Sequence, residues 1–150
     1  MGGSLRVVHE SLYKIADELP PLFIRYGKEL GTAPTEPNWH ELFRMQASGI
    51  LRVVTARQNK VLAGFCFNSV GPHLMYRTTI HGITFAVWLD HAYRTGWTGV
   101  RLLVKNRDLL REWGVKRAYI SEPFTGGLKL DKVYKRIGYE PAEMNYAMRM

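Results

Sequence analysis

From Val87 to Leu103 the chain reads V-W-L-D-H-A-Y-R-T-G-W-T-G-V-R-L-L. An apolar strand over Ile83–Leu89 ends in Asp90-His91, passes through a short turn over Arg94–Gly99 and enters an amphipathic helix at once. A connection this short stacks the helix on the sheet that the strand belongs to, which constrains the chain to a layered mix of helix and sheet. The two glycines let backbone approach a ligand with no Cβ in the way. The first amides of the helix have no intrahelical acceptor, and the helix dipole favours an anion there. The run therefore predicts a pyrophosphate cradle. It consists of the amides from Gly96 to Val100, with Leu89 at the strand end, Thr95, Trp97, Thr98 and Gly99 in the turn, and Arg94 and Arg101 adding charge. The plain alternative is an ordinary connection in which Arg94 is a solvated turn residue.

The remaining elements follow from periodicity and punctuation. Leu5–Val8 reads as a first strand. Ser11 caps a helix with Leu12, Ile15, Ala16 and Leu19 on one face, stopped by Pro20-Pro21. Proline at a first helical turn suits a second helix, which carries Leu22, Tyr26 and Leu30 and ends at Gly31. Asn38 followed by Glu41 forms a capping box for a helix to about Ala47. Ile50–Ala56 and Val61–Val70 are antiparallel strands around Gln58-Asn59-Lys60, and Thr78–Leu89 is the long central strand. The helix over 99–113 stops at Gly114. Val115–Ser121 is a strand, a helix covers about Lys129–Ile137, and Asn145–Met150 supplies the last strand. The order argues an α/β domain of the α+β type, with a mixed, mostly antiparallel sheet flanked by helices. With no repeat or linker, residues 1–150 read as one domain.

Composition narrows the chemistry. The 150 residues suffice for one core. No apolar run approaches the roughly 18–20 residues of a membrane span, so no membrane partner is expected. Cys66 is the single cysteine. It lies in the apolar run Val61–Phe67 and reads as a core thiol, which makes a cytoplasmic setting the default. The five histidines show no ligand spacing, so no metal is expected. Neither a G-x-S-x-G elbow nor a Walker pattern is present. The formal charge of +8 favours acidic ligands. It also permits RNA or DNA, although the basic residues are spread along the chain.

The turn resembles the acyl-CoA-binding loop of the GNAT acetyltransferase family, Q/R-x-x-G-x-G/A. Arg94 matches the first position and Gly99 the last. Trp97 stands where the family has glycine, and Gly96 lies one residue early, a form similar to phage-encoded members. Leu130–Tyr139 resembles the family's closing helix, A-x-x-F-Y-E-K-L-G-F, with Tyr134 on its tyrosine and Gly138-Tyr139 on its G-F. Gly127 and Leu130 replace the usual asparagine and alanine. The resemblance implies the GNAT fold, acetyl-CoA as cofactor, and transfer of an acetyl group to an amine. The acceptor class, whether small molecule, protein or tRNA, is not readable, and a homodimer is left open. Tyr134 is implied as the general acid, since a phenol of pKa about 10 can protonate a departing thiolate; the alternative is a packing role. No motif marks a general base. Glu122, at a strand end, is the candidate, while Asp90 and His81 read as structural and a water chain could serve instead. Two other functions compete: a non-catalytic phage interaction or virion protein that keeps the fold, and a toxin-like acetylation of aminoacyl-tRNA. A phage-encoded protein would work in the host cytoplasm.

Overall fold

A computed structural model describes residues 5–31, 35–121 and 130–150. Four strands pair antiparallel in chain order: β1 (Leu5–Glu10), β2 (Leu51–Gln58), β3 (Val61–His73) and β4 (Tyr76–Leu89). β5 (Arg117–Ile120) joins β4 in parallel, so the sheet order is β1-β2-β3-β4-β5. The expected mixed, mostly antiparallel sheet flanked by helices is what forms.

Successive strand residues face opposite sides, and both sides are apolar. On one side lie α1 (Leu12–Ile15), α2 (Leu19–Leu30) and α3 (Trp39–Ala47). Their Leu12, Ile15, Leu19 and Phe23 share a core with Leu51, Val53, Phe65, Phe67 and Trp88. On the other side, α4 (Thr98–Glu112) and α5 (Asp131–Arg136) bring Leu102, Leu103 and Tyr134 against Val54, Ala63, Cys66 and Leu89. Cys66 is fully buried, as its apolar run implies, and burial pushes its thiol pKa up. A buried polar triad fixes α4 against the sheet: Asn68 Nδ2 donates to Asn106 Oδ1 at 2.7 Å, and Thr84 Oγ1 donates to Asn68 Oδ1 at 2.6 Å.

Three expectations are corrected. The first helix stops at Ile15, and Leu19 heads α2 instead. Pro20 and Pro21 sit in the first turn of α2, where a missing N–H costs nothing, so they open the second helix as expected, while the first has already ended at Ile15. At α3, Asn38 Oδ1 accepts from the Glu41 amide at 3.1 Å, but the Glu41 carboxylate turns to Arg44, leaving the reciprocal half of the box unmade. The strand expected at Asn145–Met150 does not form, and Met144, Tyr146, Met148 and Met150 are exposed. A further strand needs an edge to pair with, and β5 offers only four residues of one.

The β1–β2 end is secured by charge. Arg57 on β2 bonds Glu10 on β1 at 2.7 Å and Glu18, just before α2, at 2.7 Å. Thr55 Oγ1 donates to the same Glu10 carboxylate.

Candidate functional site

The site originates in a defect of β4. Its register to β3 shifts between Phe67↔Ala86 and Asn68↔Thr84, so Phe85 is the extra residue of a bulge. β5 pairs only with His81–Thr84. Beyond the bulge, β4 keeps β3 on one side and has no strand on the other among the described residues. A groove of about 200 Å³ occupies that gap, lined by Val87, Leu89, Val100, Leu103, Leu130 and Val133.

The turn closes one end of this groove. A 3-10 turn over His91–Tyr93 leads through Arg94 and Thr95 to Gly96, whose φ of +57° is a conformation that favours glycine. α4 then starts at Thr98 with Trp97 as its cap residue and no side-chain cap bond. Arg101 N donates to Trp97 O at 2.8 Å, whereas the amides of Gly99 and Val100 meet no acceptor among the described residues. Gly99 lines the groove, and a Cβ built on it would meet only Leu89 Cδ2, at 3.9 Å. The fold itself leaves that space open. Two unpartnered amides at the head of a 15-residue helix, beside open apolar space, fit a ligand with an anionic and an apolar part.

The other turn residues separate by direction. Leu89, Arg94, Gly96, Gly99 and Val100 line the groove. Thr95 and Thr98 line a neighbouring hollow with Gln58, Asn59 and Tyr93. Trp97 is 66% exposed and lies outside the groove lining, so its indole does not narrow the passage.

Arg94 departs from its expected role as a free cation. Its Nη2 donates to Glu29 Oε2 at 2.6 Å, its Nη1 donates to Glu29 Oε1, and its Nε donates to the Leu89 carbonyl at 2.6 Å. With its charge neutralised by Glu29, Arg94 supports the turn instead of supplying net charge. The Arg94 hydrogen bonds hold Glu29 below the usual carboxylate range against the opposing effect of burial, helped by Trp88 and by the charge of His91. Arg101, mostly exposed, donates to the Leu5 carbonyl at 3.2 Å. Sequence reading missed Glu29. The available signal was spacing, because Arg25 and Glu29 on α2 mirror Asp90 and Arg94 four residues apart.

On the far wall, Leu130 and Val133 face the groove, while Tyr134 lines a second hollow of about 490 Å³ with Ala118–Ser121 and Tyr139. Tyr134 is buried, and its hydroxyl donates to the Ser121 carbonyl at 3.3 Å. Glu122 lies outside the described residues. Asp90 pairs with Arg25 and accepts from the Ala92 amide at 3.3 Å, a structural role as expected. His81 is buried beside His73, Tyr76 and Tyr119, and its Nδ1 has no partner among the described residues. Burial, with the charges of His73 and Arg117 adding to it, lowers its pKa. No group of three or more metal-ligating side chains comes together among the described residues, nor is any helix there long and apolar enough to cross a membrane.

Comparison with solved structures places this geometry in a known fold. The chain is similar to the ribosomal-protein-alanine N-acetyltransferase of Brucella melitensis biovar Abortus, at 18% identity and a TM-score of 0.73, over 98% of this chain and 99% of that one. A protein of Clostridium acetobutylicum described as a predicted acetyltransferase, solved with acetyl-CoA, matches at 15% identity and a TM-score of 0.73, over 97% and 96%. A GNAT family acetyltransferase of Staphylococcus aureus matches at 14% identity and a TM-score of 0.66, over the full length of both chains. No family model matches the chain, and no curated protein matches it. At these identities the likeness establishes the fold, which is that of the GNAT acetyltransferases.

Proposed function

We propose that the chain is a GNAT-type N-acetyltransferase, one domain over 1–150, that moves an acetyl group from acetyl-CoA to an amine. The observation that carries this reading is the pair of unpartnered amides, Gly99 and Val100, at the end of an apolar groove in this fold. The amides from Gly96 to Val100 would hold the pyrophosphate, and Leu89, Val87, Leu103 and Val133 the pantetheine arm. Acetyl-CoA supplies an acyl group activated as a thioester. Tyr134 donates a proton to the leaving thiolate, and α5 holds its hydroxyl beside Ser121, next to Val133 of the groove wall in sequence. Glu122, which follows Ser121 at the end of β5, is the candidate to accept the proton of the amine, directly or through water.

The exposed position of Trp97 favours catalysis over a non-catalytic role, because the groove stays clear of the indole. The form of the turn, with Gly96 one residue early, supports a phage-encoded origin and work in a host cytoplasm. Acceptors to screen with labelled acetyl-CoA are small amines, peptides and aminoacyl-tRNA. Protein N-termini stay in that set because the Brucella neighbour is named for ribosomal-protein alanine.

Gly99→Val is the test. The fold tolerates the new side chain, since only Leu89 Cδ2 lies within 4 Å of its Cβ, and valine is no poorer a helix former than glycine. The same side chain stands in the path of the ligand. Calorimetry is expected to show acetyl-CoA binding weakened at least tenfold, about 1.4 kcal/mol, with cooperative thermal unfolding retained. Equal affinity in the two folded proteins would overturn the cradle.

A further inference from the structure

α2 lies on the opposite side of the sheet from α4 and α5, yet it grips the turn that heads α4. Two of its three charged residues, Arg25 and Glu29, lie one helical turn apart and meet Asp90 and Arg94 in complementary order. Asp90 and Arg94 are themselves four apart, so the two pairs form a matched double clamp. Glu29 is the more heavily engaged member. It takes both Arg94 nitrogens, accepts from Trp88 Nε1 at 2.7 Å and lies 3.4 Å from His91 Nε2. Arg25 also lies over the Trp88 ring, 5.6 Å from its centroid, which joins the two halves of the clamp.

Apart from Tyr93, which packs against the second core, the turn has little else to hold it among the described residues. Its backbone bonds there are local, Tyr93 to Asp90, Arg94 to His91 and Thr98 to Thr95, and only Asp90 N reaches another strand, at Ala63 O. His91, Ala92, Thr95, Gly96 and Trp97 are exposed. A segment with few buried contacts samples several conformations unless side chains fix it. We propose that Glu29 is a positioning residue for acyl-CoA: acting through Arg94, it holds the 90–97 turn in the shape that aims the Gly99 and Val100 amides into the groove. The inference rests on the acetyltransferase reading. It makes α2, remote in sequence, a determinant of cofactor affinity.

The test is a double-mutant cycle of Glu29→Gln, Arg94→Gln and both together. Glutamine at 29 still offers Trp88 an acceptor and keeps the side-chain volume. Acetyl-CoA affinity is read by calorimetry, and amide hydrogen exchange compares residues 90–100 with β2 and β3. Each single change is expected to weaken binding at least about tenfold and to speed exchange in the turn alone. The double variant is expected to bind no more weakly than the worse single one, because both remove the same link. Binding by Glu29→Gln within about twofold of wild type, or effects that multiply in the double variant, would overturn the proposal. So would faster exchange spread over the whole sheet, the mark of a general structural loss. If wild type binds no acetyl-CoA, the proposed activity fails. The clamp is then judged by turn exchange alone: local acceleration in Glu29→Gln sustains it, and unchanged exchange refutes it.

Discussion

Tyr134→Phe is expected to slow acetyl transfer by about 10²–10⁴-fold, the usual contribution of a positioned general acid, while acetyl-CoA affinity stays unchanged. The change removes one oxygen from a buried ring and leaves its packing against Tyr139 and the Leu130–Ile137 side of the core in place. What is lost is a hydroxyl that lines the larger hollow and is bonded to the Ser121 carbonyl. Losing that bond costs about 0.5–1.5 kcal/mol of stability, too little to unfold the protein. The diagnostic is therefore a split, with kcat lowered and acetyl-CoA affinity kept, measured on the acceptor that the screen returns. Undiminished turnover would leave Tyr134 a packing residue.

Arg57→Ala is expected to destabilise the fold by about 3–5 kcal/mol at neutral pH, because it strands a buried carboxylate. Burial pushes the Glu10 pKa up, but hydrogen bonds from Arg57 and Thr55 and the charges of Arg57 and Lys14 outweigh it, so the net value lies below the ordinary 4.5. In wild type, Glu10 thus contributes stability above pH 4.5, and that contribution is lost as pH falls through the depressed folded value. Without Arg57 only the Thr55 hydrogen bond and the Lys14 charge still oppose the desolvation, so the folded pKa rises. Acid then costs the variant less than it costs wild type, because less favourable Glu10 charge is lost. Thermal unfolding of both proteins from neutral pH downward should show the gap between them closing. A gap constant with pH would mean that Arg57 acts through packing alone.

What the sequence revealed was local. The strand–turn–helix run, the Asn38 cap and the Gly31 stop each depend on residues within a few positions of one another, and each formed as read. The Tyr134 segment is legible through its resemblance to the GNAT closing helix, which is carried by residues of one short span, Leu130–Tyr139. Errors arose where a partner distant in the chain decides. Arg94 reads as a solvated or ligand-binding cation until Glu29, 65 residues earlier, folds onto it. Leu19 continues the apolar face of Leu12 and Ile15 in the sequence, and only packing assigns it to α2, beyond a break that carries no local punctuation. The alternation at Met144–Met150 satisfies a strand pattern, but a strand also needs an edge to pair with. The β4 bulge that creates the groove had no signature at all, since a register shift belongs to two strands together.

The central claim is that the Gly99 and Val100 amides receive pyrophosphate, and an amide-resolved NMR titration with acetyl-CoA tests it most directly. The account predicts saturable shifts at Gly99 and Val100, together with shifts at Leu89 and Val87. Acetyl-pantetheine, which keeps the arm but lacks the pyrophosphate, should move Val87 and Leu89 and leave the Gly99 and Val100 amides in place. Gly99 and Val100 resonances unmoved by acetyl-CoA at about millimolar concentration, an affinity limit near 4 kcal/mol, would contradict it.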